Sequence, residues 1–419
     1  MTSRSWAVVV FVVLILGTAA LAVLLVPWSR PPAPRADQLA ALGDLPAEQV
    51  DRGRDFRAAL RPGTYGSLLL GLAVAVALGL TPLGARTIEA VGRPFADHWL
   101  AQSLVGGLTI VGIANLVTVP FAAWRHDVLT RYGLSTQSWG GWAVDLLKSY
   151  AVSAVIGAVA LGGFYTVTRL APHWWWAFGA AGAAVVVVAL SLVFPVVVEP
   201  VFNRFTPMPP GPLRTELMAL AARDGVAVDD VLVADASRRT RAVNAYVSGF
   251  GPTRRIVVYD TLLREAPPAE VAAVVAHELG HAKARDVLIR TSLSAAGAAT
   301  AVLGLYLLGG WGGLLRRAGV GDIAEPPAFA LVLAVVTVVG LAATPAQAFV
   351  SRRIEARADA YALRLQSDPV AYEAVQRRLS AINLGDPDPP RWEFRYFATH
   401  PSTVQRIAAA RAYARQVGG

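Results

Sequence analysis

The sequence predicts a mainly α-helical membrane protein with seven transmembrane helices, a small α/β domain between helices five and six, and a helical C-terminal tail. Hydrophobic residues make up 55% of the 419 residues and charged residues only 16%, whereas soluble chains carry about 25% charged residues. Seven charge-free runs also reach bilayer-spanning length: 5–29, 62–85, 98–124, 149–168, 170–198, 291–315 and 326–351. This pattern excludes a soluble enzyme, a disordered protein and an outer-membrane barrel, whose strands are short and alternate.

The first run follows a short polar segment that contains Arg4. It exceeds the 7–15-residue apolar core of a cleavable signal peptide, so it predicts a signal-anchor helix. The triplet Ala20-Leu21-Ala22 leaves cleavage open as an alternative. The other six runs predict helices near 65–83, 101–122, 150–168, 174–197, 288–309 and 327–349.

These helices and the polar segments between them divide the chain into four parts. Five N-terminal transmembrane helices and their loops occupy 1–198, and a polar domain occupies 199–286. Helices six and seven occupy 287–350, and the polar, arginine-rich tail occupies 351–419.

An odd number of spans places the two termini on opposite sides of the membrane, so the polar domain and the tail share a side with loops 29–64 and 123–149. Those two loops hold nine basic residues: Arg30, Arg35, Arg52, Arg54, Arg57, Arg61, Arg125, Arg131 and Lys148. The loops and terminus on the other side hold six: Arg4, Arg86, Arg93, Arg169, Arg316 and Arg317. Because cationic loops stay cytoplasmic, we expect a cytoplasmic domain and tail. The net charge of +9 is dispersed along the chain, so we expect no nucleic-acid partner.

The polar domain predicts a small α/β unit. The segment 211–224 predicts a helix, and 231–233 predicts a short strand. The segments 244–248 and 255–259 predict two strands of a hairpin, joined through Gly249-Phe250-Gly251-Pro252. Pro267-Pro268 then opens a helix with Glu270 in its first turn. We expect that helix to run through at least Ala284.

This helix contains His277-Glu278-Leu279-Gly280-His281, an H-E-x-x-H motif. Spacing of four residues puts both imidazoles on one helical face, where they can bind a single ion. Zinc suits such ligands, and a catalytic site keeps one position for water, whose pKa the metal lowers to roughly 7. Glu278 is placed to take a proton from that water. The alternative is a polar helix end with two incidental histidines.

A third ligand is needed, and the chain has no cysteine. His98, His126 and His173 lie at predicted membrane boundaries, where a structural role is expected. Glu355 is the better candidate, because its segment continues helix seven into the tail. Asp359 lies four residues further on the same face, where it could hydrogen-bond a ligand imidazole and fix its tautomer. The alternative is a solvent-exposed helix that carries several Arg and Glu side chains without a role in metal binding.

With these residues the chain resembles the type I CAAX prenyl endopeptidases. The members of this family are seven-helix membrane zinc metalloproteases of the gluzincin type. The resemblance covers nearly the whole chain and rests on several motifs besides H-E-x-x-H. They are 131–137 with Trp139, Asp145 and Lys148; 199–207; 235–240 followed by 244–249; and 399–402 with Arg406 and Ile407. It identifies 199–286 as a protease domain.

The resemblance implies one zinc ion per chain, bound by His277, His281 and Glu355, with Glu278 as the general base. It also implies that the tail, 351–419, completes the active site.

It further implies that Asn244 and Ala245 hold substrate backbone beside an edge strand, and that His400 lies near the reacting carbonyl. Asn244 could instead cap a turn. For His400 three roles stay open: a hydrogen-bond donor to the oxyanion, a fourth metal ligand, or a loop histidine held to backbone. Arg406 is expected to pair with Asp359 and dock the tail against helix seven.

The expected partners are a peptide or protein substrate, including membrane-associated ones, and the lipid bilayer. The arginine- and alanine-rich composition suggests the cell membrane of a bacterium, with the active site on the cytoplasmic side.

One alternative function resembles the heat-shock membrane metalloprotease of protein quality control. The other is a non-catalytic receptor or transporter, which would carry charges within several spans. Here the spans are charge-free apart from Arg290 near one end, which we expect to pair with Asp286.

Overall fold

The computed structural model describes residues 2–29, 31–95 and 97–417. Arg30, which enters the charge comparison above, lies outside these residues. Among the described residues, seven helices are long and apolar enough to cross a membrane, which confirms the predicted number. They are Ser3–Leu25, Ala47–Gly79, Trp99–Leu116, Trp139–Leu170, Trp175–Phe202, Asp286–Leu308 and Pro326–Gln366.

Helices in the first half of the chain carry these spans and their connections. They are α1 (Ser3–Leu25), α2 (Arg35–Gly43), α3 (Ala47–Gly79), α4 (Pro82–Gly92), α5 (Trp99–Leu116), α6 (Val119–Arg131), α7 (Trp139–Leu170), α8 (Trp175–Val193) and, after a π-helical turn, α9 (Glu199–Phe202). The second half contains α10 (Pro212–Arg223), α11 (Asp260–Glu265), α12 (Pro268–Lys283), α13 (Asp286–Leu308), α14 (Gly312–Ala318), α15 (Phe329–Gln366), α16 (Pro369–Ile382), α17 (Arg391–Phe397) and α18 (Thr403–Val417).

Several predicted helix bounds were wrong. Two spans begin far earlier than expected: α3 starts at Ala47 within the segment interpreted as a loop, and α7 starts at Trp139, where Ser138 caps its first turn. The predicted helix 101–122 breaks after Leu116. The end of a charge-free run marks the edge of the bilayer. A helix can continue beyond that edge where other parts of the protein pack against it.

The α/β unit contains a four-stranded sheet formed by β1 (Phe205–Pro207), β2 (Asp230–Ala234), β3 (Ala245–Ser248) and β4 (Arg255–Tyr259). The strand order is β1-β2-β4-β3, with β2 and β4 parallel and the other neighbours antiparallel. The β3–β4 hairpin confirms the prediction, although β3 begins one residue later than expected. Strand β1 was not predicted, because it has only three residues and ends in proline. In the described sheet β3 is an edge strand.

The core of this unit lies between the sheet and α12. Val231, Ile256 and Val258 from the strands pack with Val271 and Val275 of α12, and all five are essentially inaccessible to solvent. This packing fixes the H-E-x-x-H helix directly over the sheet and next to α15. The predicted extension of α12 through Ala284 is one residue too long, since the helix ends at Lys283.

The loops before α3 and after α6 lie against the polar side of the molecule, as the span count requires. Leu45, just before α3, and Val50, in the first turn of α3, pack with Val404 and Ile407 of α18 in one buried cluster. The loop after α6 joins the α/β unit, where Arg241 N donates to the Leu134 carbonyl at 2.9 Å. The domain, the tail and both loops therefore form one body at one end of the spans.

Candidate active site

The H-E-x-x-H motif occupies the last turns of α12. Proline at the first helical position suits this helix start, since its missing N–H would have no partner within the helix. The spacing of four residues brings the two imidazoles together, and His277 Nε2 lies 3.1 Å from His281 Nε2. His277 is buried and His281 is partly buried. Local helix geometry alone thus brings two candidate nitrogen ligands together.

The third candidate ligand arrives from α15, which packs along α12. Glu355 is 4% exposed, with Oε2 3.3 Å from His277 Nε2 and Oε1 3.6 Å from His281 Nε2. Ligands about 2.0–2.1 Å from a tetrahedral ion lie about 3.3–3.4 Å apart, close to these separations. Among the described residues, His277, His281 and Glu355 are the group whose ligand atoms meet closely enough to hold a metal ion. The site therefore fits a metal in both chemistry and spacing.

Each imidazole faces a carboxylate on its other side. His277 Nδ1 lies 2.9 Å from Asp359 Oδ1, and His281 Nδ1 lies 2.8 Å from Asp286 Oδ2. A carboxylate at Nδ1 favours the tautomer that leaves Nε2 free to bind a metal. Asp359 was expected in this position, whereas Asp286 was missed. Arg285, in the left-handed region with φ of 57°, turns the chain between α12 and α13 and brings Asp286 back to the histidine.

Two arginines flank Glu355. Arg406 of α18 places Nη2 3.3 Å from Glu355 Oε2 and Nε 3.3 Å from Asp359 Oδ2, the pairing expected from sequence. Arg290 of α13 places Nη2 2.9 Å from Glu355 Oε1. The expected pairing of Arg290 with Asp286 is wrong. That expectation used only the spacing of the two residues along one helix, whereas Arg290 also faces Glu355 on α15. Asp286 instead contacts Arg357 and His281.

Glu278 faces a different environment from its neighbours in α12. His277 and Leu279 are buried, while Glu278 remains partly exposed beside the metal-ligand group. Burial raises the pKa of this carboxyl, although the adjacent histidines act in the opposite direction.

His400 lies in the loop between α17 and α18. Its Nε2 is 3.4 Å from Glu355 Oε2, and its side chain is 60% exposed. The loop is held by Arg352 of α15, whose Nη1 donates to the Phe394 carbonyl at 2.9 Å and to the Ala398 carbonyl at 2.6 Å. His400 thus reaches the edge of the ligand group from the solvent-accessible side.

Asn244 directly precedes edge strand β3, and its side chain is exposed. Ala245 is buried at the start of the strand. Asn383, which directly follows α16, binds the backbone of Val243, the residue before Asn244. Its Oδ1 accepts from Val243 N at 2.9 Å and its Nδ2 donates to the Val243 carbonyl at 3.1 Å. Sequence reasoning missed Asn383, since only the packing of α16 brings it to the strand.

Comparisons with known proteins agree with this geometry. Residues 209–414 match peptidase family M48, and residues 57–204 match the CAAX prenyl protease N-terminal family with five membrane helices. The chain is 30% identical over 311 residues to the uncharacterized metalloprotease YhfN of Bacillus subtilis, covering 71% of this chain and 70% of that protein. It is 29% identical over 313 residues to a CAAX prenyl protease 1 homolog of Arabidopsis thaliana, covering 71% and 70%.

The fold is similar to that in the crystal structure of Ste24p from S. mikatae, with a TM-score of 0.76 over 97% of each chain and 22% identity. The peptidase match spans every residue of the ligand group, and the membrane match covers the helices that precede it. Sequence, fold and the grouped His, His and Glu side chains thus lead to one conclusion: the chain belongs to peptidase family M48 and is a multi-pass membrane metalloendopeptidase.

Proposed function

We propose that the protein is a zinc endopeptidase whose single ion is held by His277, His281 and Glu355. The observation that carries this proposal is the convergence of their ligand atoms at 3.1–3.6 Å beside Glu278. Two imidazoles and one carboxylate form a donor set typical of catalytic zinc, with room left for water. Zinc, when bound, lowers the pKa of that water and polarises the scissile carbonyl.

The residues around the ion have separate tasks in this proposal. Glu278 accepts the proton of the water and returns it to the amine nitrogen that leaves. Asp359 and Asp286 hold the tautomers of His277 and His281. Arg406 holds Glu355 and Asp359 in place and docks the tail, so it acts as a positioning residue.

We assign His400 the role of donor to the oxyanion. Its Nε2 approaches Glu355 Oε2, yet His400 does not belong to the close ligand group found among the described residues. His400→Ala is therefore expected to keep zinc and to lower kcat by about 10²- to 10³-fold, as for loss of one such donor. Metal analysis and peptide hydrolysis check this: loss of zinc would make His400 a ligand, and unchanged kcat would make it structural.

The exposed edge of β3 is proposed to align the substrate as an added strand. Asn244 can pair with a peptide N–H and C=O at the same time. Asn244→Ala is expected to raise KM or lower kcat/KM while zinc content and melting temperature stay unchanged. Steady-state kinetics on a fluorogenic peptide test this role. Unchanged kinetics would leave Asn244 as a turn residue.

We further propose the division of the chain into membrane helices (1–198), protease domain (199–286), membrane helices (287–350) and completing tail (351–419), with the active site on the cytoplasmic side of a bacterial cell membrane. The excess of basic residues on that side supports this orientation. A reporter fused after Gly419 should be active in the cytoplasm. Activity confined to the outside would reverse the orientation.

The substrate class we propose is the C-terminal segment of a membrane-associated protein. The relative from Arabidopsis thaliana is named a CAAX prenyl protease 1 homolog, and the seven spans argue against the quality-control alternative, which usually has fewer. Protein termini should be compared in cells that express the wild type or Glu278→Gln. New C-termini close to the ends of membrane-associated proteins, absent with the variant, are expected. Internal cuts spread through misfolded membrane proteins would favour quality control.

A further inference from the structure

A cavity lies behind the candidate metal site. Its volume is about 850 Å³, and its walls come from α15, α17, α18 and the segment that follows α1. Asp359 and Arg406 lie at the inner wall, so the cavity adjoins the site through the residues that support His277 and Glu355. Nothing in the proposed peptide hydrolysis uses this space.

The cavity wall is strongly cationic. Five arginines line it: Arg352, Arg353, Arg364, Arg395 and Arg406. Asp359 is the one acidic residue among its described lining residues, and that carboxylate already contacts Arg406. Arg352 is bound to two backbone carbonyls, which do not neutralise its charge. Arg406 is paired with Glu355 and Asp359, so the positive charge that favours an anion in the cavity is that of Arg352, Arg364 and Arg395.

Apolar surface faces the same space. Pro345, Phe349, Leu363 and Phe394 form much of the wall. The guanidinium carbon of Arg353 lies 4.9 Å from the centre of the Phe349 ring. A small, fully hydrated anion gains nothing from such walls, whereas an amphiphile uses both the cationic and the apolar surface.

The cavity also lies at the level where the bilayer ends. The charge-free run 326–351 stops directly before Arg352. Trp28, which follows α1, lies with its ring centre 5.8 Å from that of Phe349, and tryptophan is enriched at membrane–water interfaces. Phe349 itself is 41% exposed. The apolar wall thus extends toward the hydrocarbon and the arginines toward the headgroups.

We propose that this cavity binds the phosphate headgroup of an anionic phospholipid, with the start of an acyl chain against Phe349 and its apolar neighbours. Arginine recognises phosphate through several N–H donors in a fixed fork. Such binding would attach α17 and α18, and with them the His400 loop and Arg406, to the membrane surface. Lipid binding here is independent of peptide hydrolysis, so it can be measured whether or not a substrate is known.

The test is a lipid titration of the purified full-length chain in detergent, read by native mass spectrometry. The probes are dioleoylphosphatidylglycerol and dioleoylphosphatidylcholine. We expect tighter binding of phosphatidylglycerol, and about fivefold weaker binding for each arginine removed. The double variant Arg364→Gln/Arg395→Gln should therefore lose about 25-fold in affinity. Both side chains are exposed, so the fold should survive.

Two controls keep the outcome specific. Arg223→Gln removes an exposed arginine from α10, outside the cavity, and should leave lipid affinity unchanged. Arg364→Lys/Arg395→Lys keeps the charge but removes the guanidinium fork, so its affinity should lie between those of the wild type and the glutamine variant. Equal binding of both lipids, or an equal loss in Arg223→Gln, would overturn the proposal. Displacement of the lipid by glycerol 3-phosphate at the same concentration would also overturn it, since the occupant would then be a soluble phosphate ester.

Discussion

Glu278→Gln is expected to leave the metal bound and to lower kcat by about 10²- to 10⁴-fold, the usual contribution of a general base. The glutamine keeps the size of the side chain and removes its ability to take a proton. His277, His281 and Glu355 are untouched, so the metal-ligand group stays intact. Metal content by atomic emission and hydrolysis of a quenched fluorescent peptide measure the two effects separately.

Glu216→Gln is a suitable control for this change, because Glu216 is exposed on α10 and is expected to alter neither quantity. Loss of metal in Glu278→Gln would indicate that the carboxylate is a ligand. Near-normal turnover in a metal-loaded variant free of wild-type protein would remove Glu278 from the reaction.

Glu355→Gln is expected to abolish stoichiometric metal binding and, with it, activity. Changes to residues that only support ligands weaken metal binding by about 10- to 100-fold, and loss of a charged ligand should exceed that. Glutamine is preferable to alanine here because Arg290 and Arg406 both contact this carboxylate. Complete removal of the partner of a buried charge costs about 3–5 kcal/mol. In an alanine variant, metal loss would therefore be difficult to separate from unfolding.

The matched control for that variant is Glu270→Gln. Glu270 lies in α12 with the histidines, its side chain is 8% exposed, and Arg378 Nε approaches its Oε2 at 2.7 Å. This variant should lower the melting temperature while one metal per chain is retained. One bound metal per chain in Glu355→Gln, measured after dialysis against a weak chelator, would contradict the assigned ligand set.

Local patterns were enough to predict a large part of the molecule. The seven spans follow from long charge-free runs, because a helix in hydrocarbon must satisfy its own backbone hydrogen bonds. The β3–β4 hairpin follows from its glycine-rich turn, and the adjacency of His277 and His281 follows from the helical repeat. The bounds of α3 and α7 were beyond such patterns, since their extensions are stabilised by contacts outside the bilayer.

The sequence by itself determined the membrane class, the H-E-x-x-H pair, and the face of α15 that carries Glu355 and Asp359. Only the tertiary structure decided several other contacts between polar and charged groups. Arg290 contacts Glu355 rather than Asp286, Asp286 contacts His281, and Asn383 holds the backbone before β3. The physical reason is that helix and strand periodicities act within one element, whereas charge pairing depends on how separate elements pack. The cationic cavity beside the site also depends on packing, because its walls combine residues 29 and 31–33 with residues of α15, α17 and α18 more than 300 positions later in the chain.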